Sequence, residues 1–473
     1  MSRGVAWVGL ASAIVAICDL VSVAVILRFW ATRADYGSAS LVMTTFGALL
    51  LIGEAGLPAA LVQRDHADPD RMSTAFWLGL FFGTALYGLI FLAAPLIGRF
   101  FDAPELASLF RGAGLLLVIR AFYTTHQAML RKELRFKELS YVRMVANIVE
   151  VSVKIGSAAA GWGLWCFVVG PLAREAVYAI GVPIAARWWP RWVFRPRQLA
   201  DDFRFGVRAN AGELLYQVYS NLDYQVVGYY FGRDAVGLYR AAYELVLEPV
   251  KFVSGVVTVV AFPAFAKLRG DRPALVAQLV AFTRQNLAVV LVFVALITVT
   301  ADDMLRAVYG SEYVLAAHAG RILAVVGAFR ALSFLGPPLL DGLGRSDKSL
   351  RYQASAALVL SGAFVIAANL GSSFDAVAIA WAVGYPLAFI VLARLVLDQL
   401  GIGAWAFVRP FGRLALIPVV AAACGLGARL VLGDTTSLVR LGVVTAVILV
   451  VAAIGLAVFE DYSPRAIIKR LRA

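Results

Sequence analysis

The chain has 473 residues, 61% of them hydrophobic and 15% charged, where a soluble domain carries roughly 25% charged residues. A mean hydropathy of +0.80 excludes a water-soluble globule, because too little polar surface is left to cover one. The net charge of +13 would suit nucleic acid, but the cations sit in short connections between apolar blocks, which excludes that partner.

The blocks begin with Val5–Trp30, Tyr36–Val62 and Thr74–Ile97. A run of about 20 apolar residues is what a helix needs to cross about 30 Å of hydrocarbon. Backbone polar groups in lipid must bond within their own segment, so helices are expected, and the ten-residue alternation of a barrel is absent. In chain order the blocks predict about fourteen transmembrane helices, over 5–30, 36–62, 74–97, 112–130, 142–161, 162–187, 205–231, 238–267, 284–301, 313–335, 352–370, 374–398, 413–432 and 439–459. The first contains Asp19 and ends in no small-residue cleavage site, so it reads as a membrane helix rather than a signal peptide. Cys18, Cys166 and Cys424 all fall in apolar blocks and read as buried free thiols.

Charge placement sets the expected orientation. Connections after even-numbered helices, with Arg3 and the tail cations Arg465, Lys469, Arg470 and Arg472, hold about 26 cations, against about eight after odd-numbered helices. Both termini are therefore expected in the cytoplasm, with the chain multi-pass in the membrane. Two cytoplasmic connections, Leu130–Arg143 and Arg187–Phe205, mix cations with aromatic and apolar residues and read as interfacial contacts with membrane lipids.

A weak internal echo pairs Arg33-Ala34-Asp35-Tyr36-Gly37 with Arg233-Asp234-Ala235-Val236-Gly237, 200 residues later. Both lie at the end of the first helix of a six-helix set. The simplest parse is an N-lobe over 1–198, a C-lobe over 199–400, and two further helices with a basic tail over 401–473. Repeats of this kind put the substrate of a transporter between two halves.

Four segments carry a resemblance. They are Arg33–Gly37 followed by Ser38-Ala39, then Glu54–Arg64, then Leu130-Arg131-Lys132-Glu133-Leu134-Arg135-Phe136-Lys137, then Gly161-Trp162-Gly163-Leu164-Trp165. In order and topological place they resemble the polysaccharide-export, Wzx-type branch of the MOP superfamily, over about residues 1–400. The resemblance implies an all-α membrane fold of two pseudo-symmetric six-helix lobes around a central cavity, plus two C-terminal helices. It implies a flippase, not an enzyme, working by alternating access on polyprenyl-pyrophosphate-linked oligosaccharide units for exopolysaccharide, capsule or O-antigen assembly. A polysaccharide polymerase and export machinery are the implied partners, and no cofactor or metal is called for. The cleft is expected to be net cationic.

Charges inside apolar blocks are the informative residues, since each costs about 2.5–3.5 kcal/mol at the bilayer centre when it faces lipid. Arg120 and Arg174 are mid-helix guanidiniums suited to bidentate phosphate contacts, and Lys154 and Lys251 are further headgroup candidates. Glu150 and Lys154 share a helix face, as a neutralised structural pair or as a cavity pair that opens on pyrophosphate. Glu244, Glu248 and Lys251 share another face, either as ion-coupling groups or as a polar seam. Asp19, Glu213 and Asp223, on the first helix of each set, are the remaining ion-coupling candidates. No phosphate-binding loop of the G-x-x-x-x-G-K-[ST] type occurs. Two other readings stay open. One is an ion-coupled multidrug antiporter of the sister branch, with an acidic cleft. The other is a membrane glycosyltransferase or polymerase, for which Asp302-Asp303 is the one acidic doublet in an outer connection and reads as a solvated loop.

Overall fold

The computed structural model describes residues 15, 18–54, 56–58, 61, 68–433 and 435–459. The start of the first predicted helix, Arg3, Arg64, most of the Ala55–Arg64 stretch and the basic tail lie outside the described residues. The described residues are helical, with short connections and no strand among them.

Helix α1 covers 18–29, followed by α2 (Arg33–Gly53), α3 (Pro69–Phe100), α4 (Glu105–Lys132), α5 (Phe136–Ala159) and α6 (Cys166–Ala186). A single run, α7 (Ala200–Lys267), takes the place of two predicted helices and is interrupted at Gly232. Then come α8 (Arg272–Val308), α9 (Ala317–Ser333), α10 (Gly336–Gly342), α11 (Ser346–Leu370), α12 (Asp375–Leu400), α13 (Ala404–Val408), α14 (Gly412–Leu432) and α15 (Ser437–Phe459). Among the described residues, eleven segments are long and apolar enough to cross a membrane. One of them, Asn210–Lys267, has 58 residues and is roughly 87 Å long at 1.5 Å per residue, enough for two crossings. Large apolar side chains point away from the protein along many helices, among them Leu92, Leu358, Leu370 and Leu430, where hydrocarbon rather than water suits them.

The chain forms two compact units, 1–237 and 238–473. In the first, α3 packs on α4, α5 on α6, and α4 on α6. Local chemistry sets the helix ends. Thr32 and Asp35 form a capping box that opens α2, and Asp68 followed by Pro69 opens α3. The Gly161-Trp162-Gly163 turn places both glycines at positive φ, 81° and 53°, so the chain reverses between α5 and α6 in three residues.

The two echoed motifs meet inside this unit. A methyl group on Gly37 would collide with the Arg233 carbonyl, and one on Gly237 would collide with the Arg33 carbonyl. Each glycine is therefore the surface on which the other motif's backbone rests. Gln225 ties α7 to α2 nearby, donating from Nε2 to Leu41 O at 3.1 Å and to the Thr44 and Thr45 hydroxyls at 2.9 and 3.1 Å. The Trp-rich connection after α6 lies along the start of α3. Trp77 donates to Arg191 O at 2.9 Å and stacks on Trp192, whose side chain is otherwise open.

In the second unit, α14 and α15 pack on α8 around a core of Val290, Val299, Leu414, Ile417, Val444 and Ile448. Two sequence readings need correction here. Asp302 and Asp303 are not in a solvated loop, because α8 continues to Val308. Asp303 is 1% exposed and accepts from Arg440, while Asp302 accepts from Arg321 and, at 2.9 Å, from Arg429. Three arginines neutralise a segment that its two acids had marked as loop. Of the three free cysteines only Cys166 is buried. Cys18 and Cys424 point out of the protein, where an apolar thiol is as well matched to acyl chains as to a core.

Candidate functional site

Ionisable residues of four helices in the first unit converge on one cluster. On α5, Glu150 and Lys154 are one turn apart, and their charged atoms are 3.4 Å apart. Helix α6 brings Arg174 to Glu150 at 3.1 Å and, from the adjacent position, to Glu175 at 3.2 Å. Helix α4 adds Tyr123, whose hydroxyl donates to the second Glu175 oxygen at 2.5 Å. Helix α1 adds Asp19, 3.8 Å from Lys154 Nζ. One turn earlier on α4, Arg120 donates through Nε to Glu54 at 2.7 Å.

Burial within the cluster is uneven, and that difference decides its chemistry. The Glu150, Glu175 and Lys154 side chains are 4%, 3% and 8% exposed, while Arg174 and Arg120 are 32% and 31% exposed. Glu150 and Glu175 are thus the buried anchors and the guanidiniums the open ends. A guanidinium has five N–H donors. Arg174 spends three on Glu150 and Glu175, and Arg120 spends one on Glu54. Each anchored group retains donors in the fork geometry that suits a phosphate. Against Arg120, Lys154 and Arg174 stand Glu54, Asp19, Glu150 and Glu175, so the cluster is not net cationic as expected of a cleft lining.

Four of the residues singled out from sequence, Asp19, Glu150, Lys154 and Arg174, meet directly, and Arg120 lies on the neighbouring turn to Tyr123. The others do not join them. Glu213 is exposed and accepts from Gln217 at 3.4 Å. Asp223 is fully buried and accepts from the Tyr224 amide. In the second unit Glu244 pairs with Arg240, one turn earlier, and Lys251 lies 3.6 Å from Glu248 at an exposed position. Sequence reasoning assigned no role to Glu54, Glu175 or Tyr123. The adjacent Arg174-Glu175 dyad was the available signal for one of them, whereas the Glu54–Arg120 pair spans 66 residues and leaves no local trace.

The second unit holds a buried cation, conspicuous in its apolar block but given no role by the sequence. Arg330 is 2% exposed, donates to the Tyr243 hydroxyl at 2.7 Å, and lies 5.2 Å from the Trp381 ring centre and 5.9 Å from that of Tyr385. Its surroundings are closed, which makes it a packing cation held by ring faces.

A family model described as polysaccharide biosynthesis protein matches residues 26–318. The chain is 27% identical over 384 residues to the teichuronic acid biosynthesis protein TuaB of Bacillus subtilis, covering 80% of this chain and 79% of that one. It is 23% identical over 402 residues to the lipopolysaccharide biosynthesis protein WzxC of Escherichia coli, covering 82% and 77% of the two chains. Among solved structures, lipid II flippase MurJ in an inward closed conformation shares the fold, with a TM-score of 0.80 over 96% of this chain and 98% of that one at 13% identity. The family model spans more than half of the sequence, and the protein belongs to the polysaccharide biosynthesis protein family.

Proposed function

We propose that this protein is a flippase that moves polyprenyl-pyrophosphate-linked oligosaccharide repeat units across the bacterial inner membrane by alternating access. The carrying observation is the cluster of Arg120, Lys154 and Arg174, in which buried carboxylates hold guanidiniums that keep uncommitted donors. Ionised groups at membrane depth are costly unless they face a polar cavity, and a pyrophosphate is the anion such donors grip best. Membership of the family, relatives named for teichuronic acid and lipopolysaccharide biosynthesis, and the fold of a lipid flippase support the same reading.

The architecture that goes with it has fourteen crossings. The eleven apolar segments count one long run that crosses twice, and α1 and α5 complete the set, α5 carrying too many charges to pass as apolar. Lobes over 1–198 and 199–400 enclose the cavity, both termini are cytoplasmic, and α14 and α15 form the added pair. Closure of the outer end falls to the reciprocal seat of Gly37 and Gly237. Asp19 and Glu150 exchange a proton or sodium ion for the pyrophosphate on Lys154, with Glu213, Asp223, Glu244 and Glu248 as secondary ion-coupling candidates and Lys251 as a further headgroup candidate. A polymerase takes up the delivered unit.

An Arg120→Ala/Arg174→Ala variant tests the headgroup role. Lipid-linked sugar should accumulate on the inner leaflet and polymer export should fall at least tenfold. Export at the wild-type level by a normally expressed double variant sinks the assignment. The one excess carboxylate of the cluster favours a second reading, an ion-coupled multidrug antiporter, for which deletion would cause drug sensitivity with polymer export intact.

A further inference from the structure

A groove of about 430 Å³ lies in the first unit where three connections after odd-numbered helices come together, at the end of α3, the start of α2 and the break in α7. That volume falls within the range of small-molecule sites, roughly 300–1,000 Å³. The break itself creates the space. Gly232 has φ 82° and ψ 175°, and a side chain placed there would meet nothing within 4 Å. Irregular backbone at the membrane is tolerated where it lines a wet cavity.

Two kinds of group line the groove. Phe100 and Tyr229 stack at 4.6 Å with planes 23° apart, yet remain 60% and 52% exposed, so each keeps an open face. Around them stand Asp102, Asp234 and Arg233. Arg233 is held by Glu105, and Asp234 is 63% exposed with Arg33 3.9 Å away. Asp102 is exposed and adopts φ 49°, a left-handed conformation that aspartate tolerates. The lining thus carries two carboxylates and one guanidinium, and that guanidinium is already paired with Glu105.

We propose that this groove is a glycan subsite that holds uncharged sugar residues of the cargo at the outer face. The proposal rests on the flippase reading and deepens it. The C–H face of a pyranose packs on an exposed aromatic ring, and its hydroxyls donate to carboxylates, so stacked rings flanked by Asp102 and Asp234 match a sugar. The acidic balance disfavours phosphate and anionic lipid headgroups. Recognition is thereby divided, with pyrophosphate on the arginine cluster and sugar in the groove.

The test uses the full-length protein in nanodiscs and the repeat-unit oligosaccharide of its host strain, freed of lipid and pyrophosphate by mild acid and carboxyl-reduced if it contains uronic acids. Binding is read by saturation-transfer NMR and calorimetry. Tyr229→Ala should weaken binding at least tenfold, while Tyr229→Phe stays within twofold. Asp102→Asn/Asp234→Asn, which keeps side-chain size and the left-handed turn, should weaken it about fivefold. Inorganic phosphate should not compete. Absence of binding to the wild-type protein, equal binding by Tyr229→Ala, or competition by phosphate overturns the subsite. Deletion of the chain with no change in leaflet distribution of lipid-linked sugar overturns the flippase reading instead, and the two failures are distinguishable.

Discussion

Glu150 is the residue on which the cluster turns, since it accepts from Arg174 and lies 3.4 Å from Lys154 while only 4% exposed. Removing one partner of a buried ion pair costs about 3–5 kcal/mol, because the other charge is left uncompensated. Glu150→Leu should therefore lower the melting temperature in detergent sharply, and Lys154→Met added to it should recover much of the loss. Unchanged stability of the single variant would mean that Asp19, rather than Glu150, compensates Lys154. Part of this cluster was legible in the sequence, because Glu150 and Lys154 are one turn apart and an apolar block makes any charge conspicuous. The rest was not. Glu54 and Arg120 meet across 66 residues, and Tyr123 looks like any aromatic until its hydroxyl is seen on Glu175.

The helices themselves followed from apolar run length, and their ends did not. Hydropathy marks the part of a helix that lies in hydrocarbon, whereas capping and ion pairing carry the helix beyond it. Pro69–Phe100 and Arg272–Val308 both outrun their apolar blocks for this reason, and the second swallows the Asp302-Asp303 doublet. Those acids attach the last two helices. Arg429 on α14 and Arg440 on α15 reach Asp302 and Asp303 on α8. Arg429→Ala/Arg440→Ala should raise hydrogen exchange in 412–459 at least fivefold while leaving exchange in 105–159 unaltered. Equal protection would show that the apolar core of Leu414, Ile417, Val444 and Ile448 suffices without the ion pairs. At the echoed motif pair of the first unit, Gly237→Val places a side chain against the Arg33 carbonyl. A thiol introduced by Ala34→Cys should then react several-fold faster with a membrane-impermeant maleimide, and an unchanged rate would show that the seat yields without opening.

Orientation belongs to the whole molecule, because no single connection decides it. About 26 cations after even-numbered helices and at the termini face about eight after odd-numbered ones, and translocating the richer side would work against the bias that governs insertion. The structure adds an internal check. Ala34, Asp102 and Asp234, from three different odd-numbered connections, line one groove, as alternating crossings require of residues on one side. The same alternation predicts that Trp192, 90% exposed beside Arg191 and Arg195, meets headgroups on the other side. Single cysteines test this directly. Trp192→Cys and Arg345→Cys should resist an impermeant maleimide added to intact cells and react after permeabilisation, whereas Asp102→Cys should react in intact cells. The reverse pattern would invert the molecule, put the proposed sugar groove in the cytoplasm, and turn it from a place of release into a place of capture.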